Sequence, residues 1–187
     1  MIKHLTLHIT DSCNLRCEYC HVAAIGNTSI TNSFICDDVL NSDTIFESES
    51  FDVITCNPPY FKYIESSFVN NSDVKTIARH EVKIKIEDII KKASFLLKNH
   101  GTFAMVHRPD RLVEILDLLK KYNFEPKRVR FVYSKENGNS NMFLIEAIKN
   151  GNSGGLKMLY PLFIHNEDGS YCDEVRNMFG SEDNVAK

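Results

Sequence analysis

The segment Phe51–Tyr60, FDVITCNPPY, decides the fold and marks the candidate site. Its first six residues are mostly apolar and predict a short buried strand. The sequence Asn57-Pro58-Pro59 ends that strand, because proline has no N–H to donate to a neighbouring strand. Ligands of open α/β sheets bind beyond the carboxyl ends of the strands. The sequence therefore places a candidate site at Asn57–Tyr60.

The residues Asn57–Tyr60 suit a flat base that carries an exocyclic amine. The Asn57 side-chain oxygen and the Pro58 carbonyl can accept the two amine hydrogens, and Tyr60 can stack on the base. These contacts would direct the nitrogen lone pair toward an electrophilic methyl group. The two prolines hold the loop rigid, so the acceptors are positioned before any reaction.

The order of elements downstream of residue 34 predicts an α/β fold. Strands alternate with helices, which favours a parallel sheet covered on both faces. Amphipathic stripes predict one helix over 84–98, capped by Gly101, and another that begins at Pro109. A strand is predicted from Thr102 to His107, and His107 is interpreted as a packing residue. Residues 128–134 and 142–149 are predicted to close the sheet as an antiparallel hairpin.

The charged residues are distributed unevenly along the chain. From Lys75 to Lys135 there are 15 Lys/Arg against 7 Asp/Glu, whereas the remainder has 7 against 18. A basic middle in a chain of net charge −3 fits a face that meets phosphates. Solvated helix faces are the alternative interpretation.

Matches to one family continue from about residue 34 to the C-terminus. They are ESFDVITCNPPYFK (Glu49–Lys62), IARHE (Ile77–Glu81), FAMVHRPDRL (Phe103–Leu112), EPKRVRFVY (Glu125–Tyr133), Pro161-Leu162, Asp168-Gly169 and Tyr171. In this order they resemble the bacterial class I methyltransferases that methylate an anticodon-loop adenine of valine tRNA. The resemblance implies S-adenosylmethionine as the methyl donor and tRNA as the partner.

The same resemblance implies roles for individual residues. Asp38, or its neighbour Asp37, would lie near the adenine ring of S-adenosylmethionine. The residues that would hold the target adenine are Asn57, Pro58, Pro59 and Tyr60. The candidates for tRNA phosphate contacts, each otherwise a solvated surface charge, are Arg79, His80, Arg108, Arg111, Lys127, Arg128 and Arg130.

The chain departs from that family upstream of Asn57. A class I methyltransferase needs a glycine-rich loop after its first strand, since glycine lets the backbone approach the cofactor closely. Only Gly26 occurs before Gly101. We therefore predict an incomplete Rossmann-like sheet, an exposed sheet edge that invites self-association, and impaired methyl transfer. The later stretch Asn150–Gly155 is interpreted as a loop at the end of the hairpin.

A cysteine motif follows a strand predicted over residues 2–10. Cys13, Cys17 and Cys20 have the spacing C-x-x-x-C-x-x-C, and three thiolates can hold a four-iron four-sulfur cluster. The motif resembles the start of a radical S-adenosylmethionine enzyme, and a zinc site or a chance loop is the alternative. We predict a radical-SAM-like segment over 1–30 and the C-terminal part of a class I methyltransferase domain over 31–187.

Three functions remain open at this stage. The leading one is a tRNA adenine-N6 methyltransferase, and the alternatives are a fragment of an iron–sulfur radical enzyme and a non-catalytic tRNA-binding remnant. No apolar run is long enough for a transmembrane helix, and the N-terminus lacks the pattern of a signal peptide. We therefore expect a cytoplasmic protein without a membrane partner.

Overall fold

A computed structural model describes residues 4–8, 39–58 and 85–179 of the chain. The strands are β1 (His4–His8), β2 (Phe51–Asn57), β3 (Leu97–His107), β4 (Phe124–Tyr133), β5 (Ser140–Lys149), β6 (Lys157–Met158) and β7 (Leu162–Phe163). The helices are α1 (Ser42–Ile45), α2 (Ile86–Leu96), α3 (Leu112–Lys121) and α4 (Asp173–Met178), and short 3₁₀ helices cover Val39–Asn41 and Pro109–Arg111.

All seven strands belong to one mixed sheet. Their order is β1-β2-β3-β5-β4-β6, and β7 also pairs with β4. Strands β1, β2 and β3 are parallel to one another, whereas β5 is antiparallel to both β3 and β4. The predicted parallel sheet with a closing antiparallel hairpin is therefore confirmed. The hairpin inserts β5 between β3 and β4.

The N-terminal strand β1 pairs with the strand that carries Asn57. Five residue pairs align, from His4 opposite Val53 to His8 opposite Asn57. This strand therefore lies in the same sheet as β2. The domain boundary near residue 30 stays a prediction. Strand β1 also covers one edge of β2. An argument for self-association that rests on a bare β2 edge does not apply.

Helices α2 and α3 pack on the same face of the sheet. The connections β2–α2–β3 and β3–α3–β4 run in the same direction across the sheet, and right-handed crossovers then place both helices on one side. Phe103 and Met105 point into that side and are buried, whereas Ala104 and Val106 on the other side are only half-buried. Helices α2 and α3, the two longest described helices, thus cover one face of the sheet.

The core lies between that face and the two helices. The fully buried side chains include Phe103, Phe124 and Phe143 from the strands, together with Ile89, Ile90, Leu96, Ile115 and Leu119 from the helices. Each buried aliphatic or aromatic side chain of this size contributes about 1.5–3 kcal/mol relative to its exposed state. The predicted apolar stripes of both helices are thus confirmed as core.

Gly101 does not cap the helix, as the sequence analysis predicted. Helix α2 ends at Leu96, and β3 begins immediately at Leu97. Gly101 lies within β3, where a Cβ atom would be 2.9 Å from the Lys98 carbonyl oxygen and 3.1 Å from the Asp52 carbonyl oxygen. The position needs glycine because backbone from two strands approaches it closely.

The loop Asn150–Gly155 lies at the edge of the sheet opposite to Asn57. The Gly154 N–H donates to Glu125 Oε1 at 2.8 Å, and Lys127 Nζ donates to the carbonyls of Asn152 and Gly154 at 2.5 and 2.7 Å. Both Glu125 and Lys127 stand near the start of β4. This glycine-rich stretch is therefore a loop at the end of the hairpin, as predicted, and does not face the candidate site.

Candidate functional site

The candidate site is the edge of the sheet at which β2 and β3 end. Asn57 is the exposed last residue of β2, and Pro58 directly after it is buried. Because Pro58 is buried, its backbone is held in place. This fixes the backbone at the end of β2, from which the Asn57 side chain projects. Pro59 and Tyr60 lie outside the described residues, and their predicted roles stay predictions.

A cleft of about 460 Å³ opens at the same edge, where β3 ends and β5 begins. Its lining residues are Arg108, Pro109, Asp110, Ser140, Asn141 and Met142. Ser140 and Asn141 were not predicted as site residues, because they lie between the two predicted hairpin strands, 128–134 and 142–149. The predicted hairpin could have located them, because the start of β5, which is antiparallel to β3, must lie beside the end of β3.

His107 is the last residue of β3 and lies next to this edge. Its side chain is fully buried, and Nδ1 accepts the backbone N–H of Arg108 at 2.8 Å. Burial is the main cause that lowers the pKa of His107, and the positive charge of Arg111 lowers it further. The imidazole is therefore neutral at physiological pH. The interpretation of His107 as a packing residue is confirmed.

Two of the predicted tRNA-binding arginines have close protein partners. The Arg111 guanidinium donates two hydrogen bonds of 2.6 Å to Glu114, and its side chain is only 12% exposed. Arg130 donates to both carboxylate oxygens of Glu174 at 2.5 and 2.7 Å, and its side chain is 16% exposed. A phosphate would have to displace these carboxylates, which favours a structural role for both arginines.

The other three candidates for tRNA contacts within the described residues, Arg108, Arg128 and Lys127, lie at different places in the fold. Arg108 borders the cleft, is half-exposed and lies 3.4 Å from Asp110. Arg128 forms a cross-strand ion pair with Glu146, and Lys127 binds the loop at the opposite edge. Position thus favours Arg108 for a contact with a ligand at the Asn57 edge. The tRNA contacts of all three stay predictions.

Acidic residues from outside the basic middle neutralise much of its charge. These ion pairs join Lys92 to Asp43 at 2.6 Å, Lys98 to Asp52 at 2.8 Å, Arg128 to Glu146, and Arg130 to Glu174 at 2.5 Å. Among the residues that the structure describes, the excess of basic residues is therefore not a continuous basic face. The alternative interpretation, solvated charges that form local pairs, describes these four residues better.

Several predicted site residues lie outside the described ranges. They are Cys13, Cys17 and Cys20 of the cysteine motif, Asp37 and Asp38 of the predicted donor site, and Arg79 and His80. Their roles stay predictions. Within the ranges that are described, no group of three His, Cys, Asp or Glu side chains could hold a metal ion. No helix there is long and apolar enough to cross a membrane.

Comparison with curated proteins gives two informative relatives. The tRNA1(Val) (adenine(37)-N6)-methyltransferase of Porphyromonas gingivalis is 36% identical over 80 residues, which are 42% of this chain and 30% of that protein. The enzyme of the same name from Bacteroides thetaiotaomicron is 30% identical over 146 residues, 76% of this chain and 60% of that protein. The chain is homologous to these methyltransferases. It spans less than two thirds of either relative.

No protein-family model matches the chain. These two relatives are tRNA methyltransferases, and they lend the cysteine motif no support as a radical-enzyme signature. The iron–sulfur cluster predicted on Cys13, Cys17 and Cys20 stays a prediction without a supporting relative.

A solved structure confirms the fold class. The crystal structure of a predicted O-methyltransferase, protein Atu636 from Agrobacterium tumefaciens, matches with a TM-score of 0.57 and 19% sequence identity. The match covers 75% of this chain and 59% of that chain. The mixed α/β sheet is therefore that of the class I methyltransferases. At this identity the likeness concerns the fold alone.

Proposed function

We propose that the chain transfers a methyl group from S-adenosylmethionine to the exocyclic amine of an adenine in tRNA. One observation carries the proposal: Asn57-Pro58 stands at the carboxyl end of a parallel strand in a class I methyltransferase sheet. The homology supports it, because the relatives are named for methylation of adenine 37 in tRNA1(Val).

The residues of the chain would act on the adenine amine. The exposed Asn57 side chain and the Pro58 carbonyl accept its two hydrogens, which directs the nitrogen lone pair away from the ring. The proton leaves after the methyl group has been transferred, so no strongly basic side chain is required. The burial of His107 agrees with this, since it keeps the nearby imidazole away from solvent.

The fit to S-adenosylmethionine is incomplete. When bound, this molecule supplies the electrophilic methyl group, and Asp37 or Asp38 would contact its adenine ring. Strand β1 brings its carboxyl end beside Asn57, where a cofactor loop is needed. The sequence after His8 contains no glycine before Gly26, so it lacks the residue type that permits the closest backbone approach. We therefore propose that methyl transfer by this chain is impaired.

The same observation favours a second candidate, a tRNA-binding protein without catalytic activity. It would keep the adenine-holding residues at Asn57 and the cleft beside Arg108. Calorimetric titration with S-adenosylmethionine separates the two candidates. Binding supports the methyltransferase, whereas tRNA binding without S-adenosylmethionine binding supports the second candidate.

The decisive experiment compares wild type with Asn57→Ala. We expect the variant to form N6-methyladenosine in valine tRNA about 10²–10³-fold more slowly, by analogy with the loss of one positioned hydrogen-bonding group. Mass spectrometry of digested tRNA measures the product. Asn152→Ala, at an exposed asparagine on the opposite edge of the sheet, is the matched control and should stay within a few fold of wild type. Equal rates for wild type and Asn57→Ala would remove Asn57 as the amine acceptor.

A further inference from the structure

A second cleft, of about 330 Å³, lies where β7, the β4–β5 turn and the start of α4 meet. The lining residues that matter for its chemistry are Tyr160, Phe163, His165, Glu136, Asn166 and Glu167. Three aromatic rings thus share one opening with an amide and three carboxylates, of which Arg130 binds that of Glu174. The predicted adenine site does not use any of these residues.

The walls of this cleft are fixed from β4. Arg130 Nε donates to the Tyr160 carbonyl at 2.8 Å, while its terminal nitrogens bind Glu174. Lys135 Nζ donates to the Glu167 carbonyl at 3.0 Å. Both sides of the opening are therefore positioned before a ligand arrives, which reduces the entropy lost on binding. This explains why Arg130 is largely buried.

The aromatic rings leave a surface on which a flat group can stack. The Tyr160 ring is 77% exposed and meets the Phe163 ring at 6.3 Å between centroids and 74° between planes. The His165 ring stacks on Tyr171 at 5.0 Å, which holds it in place. Unpaired nucleobases stack on exposed aromatic side chains of this kind.

The polar groups select the edge of such a base. The carboxylates of Glu136 and Glu167 accept hydrogen bonds from exocyclic amines, as carboxylates do with cytosine. They also repel phosphate, so the cleft suits a base better than a backbone. The ligand that matches both the rings and the carboxylates is an unstacked nucleobase that carries an amino group.

One wall of this cleft, Phe163, lies at the same edge of the sheet as Asn57. Phe163 aligns with Tyr133 at the carboxyl end of β4, which runs parallel to β2. Four strand spacings of about 4.8 Å separate β2 from β7, roughly 19 Å in all. That span equals five or six nucleotides at the stacked spacing of about 3.4 Å. One RNA loop can therefore reach both places.

We propose that this cleft binds a second unpaired nucleobase of the RNA loop whose adenine lies at Asn57. The inference rests on the proposed function, because it takes the same RNA as the ligand. It assigns Tyr160 as the stacking residue and Arg130 as a positioning residue.

Binding of a fluorescent stem-loop RNA that contains the target adenine tests the inference. Tyr160→Ala should weaken binding about 5- to 100-fold, the range for the loss of one base–aromatic stack. Tyr160 is exposed, so the variant should melt like wild type. Val113→Ala, which removes an exposed apolar side chain from α3, is the matched control and should bind like wild type.

An abasic scan of the loop then identifies the partner of Tyr160. At one loop position, removal of the base should weaken wild-type binding by the same factor and have no further effect in Tyr160→Ala. Unchanged affinity in Tyr160→Ala overturns the inference, as do losses that add at every position. If wild type methylates the RNA while Tyr160→Ala binds normally, the inference alone fails. RNA binding that depends on Tyr160 without methylation removes the proposed activity alone, and a wild type that does neither removes both.

Discussion

The central body and the C-terminal segment are held together by different forces. The central body consists of strands β2 to β5 with helices α2 and α3, and a buried apolar core joins its sheet to its helices. The C-terminal segment, residues 150–179, buries Leu162 and Val175 and is otherwise attached by the pairing of β6 and β7 with β4 and by charged side chains. Arg130 binds Glu174, Lys135 binds the Glu167 carbonyl, and Glu125 binds the Gly154 N–H.

The two kinds of contact have different effects: apolar burial stabilises the fold, whereas ion pairs fix the position of the groups that they join. Apolar burial stabilises a fold in proportion to the area removed from water. Solvent-accessible ion pairs contribute little net free energy but fix the geometry of the groups they join. The central body should therefore determine whether the chain folds, and the C-terminal segment can open locally without global unfolding. The proposed nucleobase cleft lies in the part that opens more easily.

The largest expected effect comes from the central body. Phe103→Ala should lower the free energy of unfolding by about 3–5 kcal/mol, because a large buried ring leaves a cavity. Phe103 is fully buried and lies 5.4 Å from the Phe124 ring centroid. Urea denaturation measures the change. Phe95→Ala, at a partly exposed position of α2, should cost much less, and equal losses for the two variants would contradict the assignment of Phe103 to the core.

A smaller effect is expected at the junction of the two regions. Arg130→Met keeps most of the side-chain volume but removes the hydrogen bonds to Glu174 and to the Tyr160 carbonyl. Amide hydrogen exchange in residues 160–175 should rise about tenfold, with little change in the melting temperature. Arg176→Met removes an exposed ion pair with Asp173 and is the control. Unchanged exchange in Arg130→Met would mean that Leu162 and Val175 hold the segment without the ion pair.

The smallest expected effect is a pH dependence of the attachment of the C-terminal segment. Lys120, and then the Gly154 N–H, lower the pKa of Glu125, and Arg130 lowers the pKa of Glu174, in each case from the ordinary value of 4.5. Because the folded values lie below the unfolded ones, these carboxylates stabilise the attachment above pH 4.5. That contribution is lost as the pH falls through the lower folded values.

Methyl NMR from neutral pH to about pH 3 measures this dependence. The Val175 methyl signals should shift at a higher pH than those of Ile145 in the central body. The double variant E125Q/E174Q carries no titrating group at either attachment, so its Val175 signals should lose this shift. Simultaneous shifts of Val175 and Ile145 in wild type would show that the two regions unfold together.

Much of the central body could be predicted because its signals are local. The run FDVITC forms β2, the prolines end it, and the apolar stripe of residues 84–98 becomes the buried face of α2. The hairpin of β4 and β5 also follows from the alternation of apolar and polar residues and from the turn-forming residues Glu136–Ser140. The boundary between α2 and β3 was missed, because Gly101 reads as a helix cap until the nearby Lys98 and Asp52 carbonyls are known.

The candidate site likewise has a part that could be predicted from the sequence and a part that could not. The chemistry of Asn57 and Pro58 can be predicted from the sequence, since it depends on residue type and on where one strand ends. The partners of Arg130 are not, because Tyr160 and Glu174 lie 30 and 44 residues further along the chain. The family resemblance implied a tRNA contact for Arg130, whereas in the fold its guanidinium binds the Glu174 carboxylate.

By itself, the sequence determined the order of strands and helices from β2 to β5, the stop at Asn57 and the homology to tRNA methyltransferases. These properties depend on the periodicity and chemistry of neighbouring residues, which any short segment displays. Only the tertiary structure decided that β1 pairs with β2, that both helices lie on one face, and that one wall of the cleft beside Tyr160 lies at the same sheet edge as Asn57. Such properties depend on which distant segments meet, because hydrogen bonds and ion pairs form between residues that no local pattern relates.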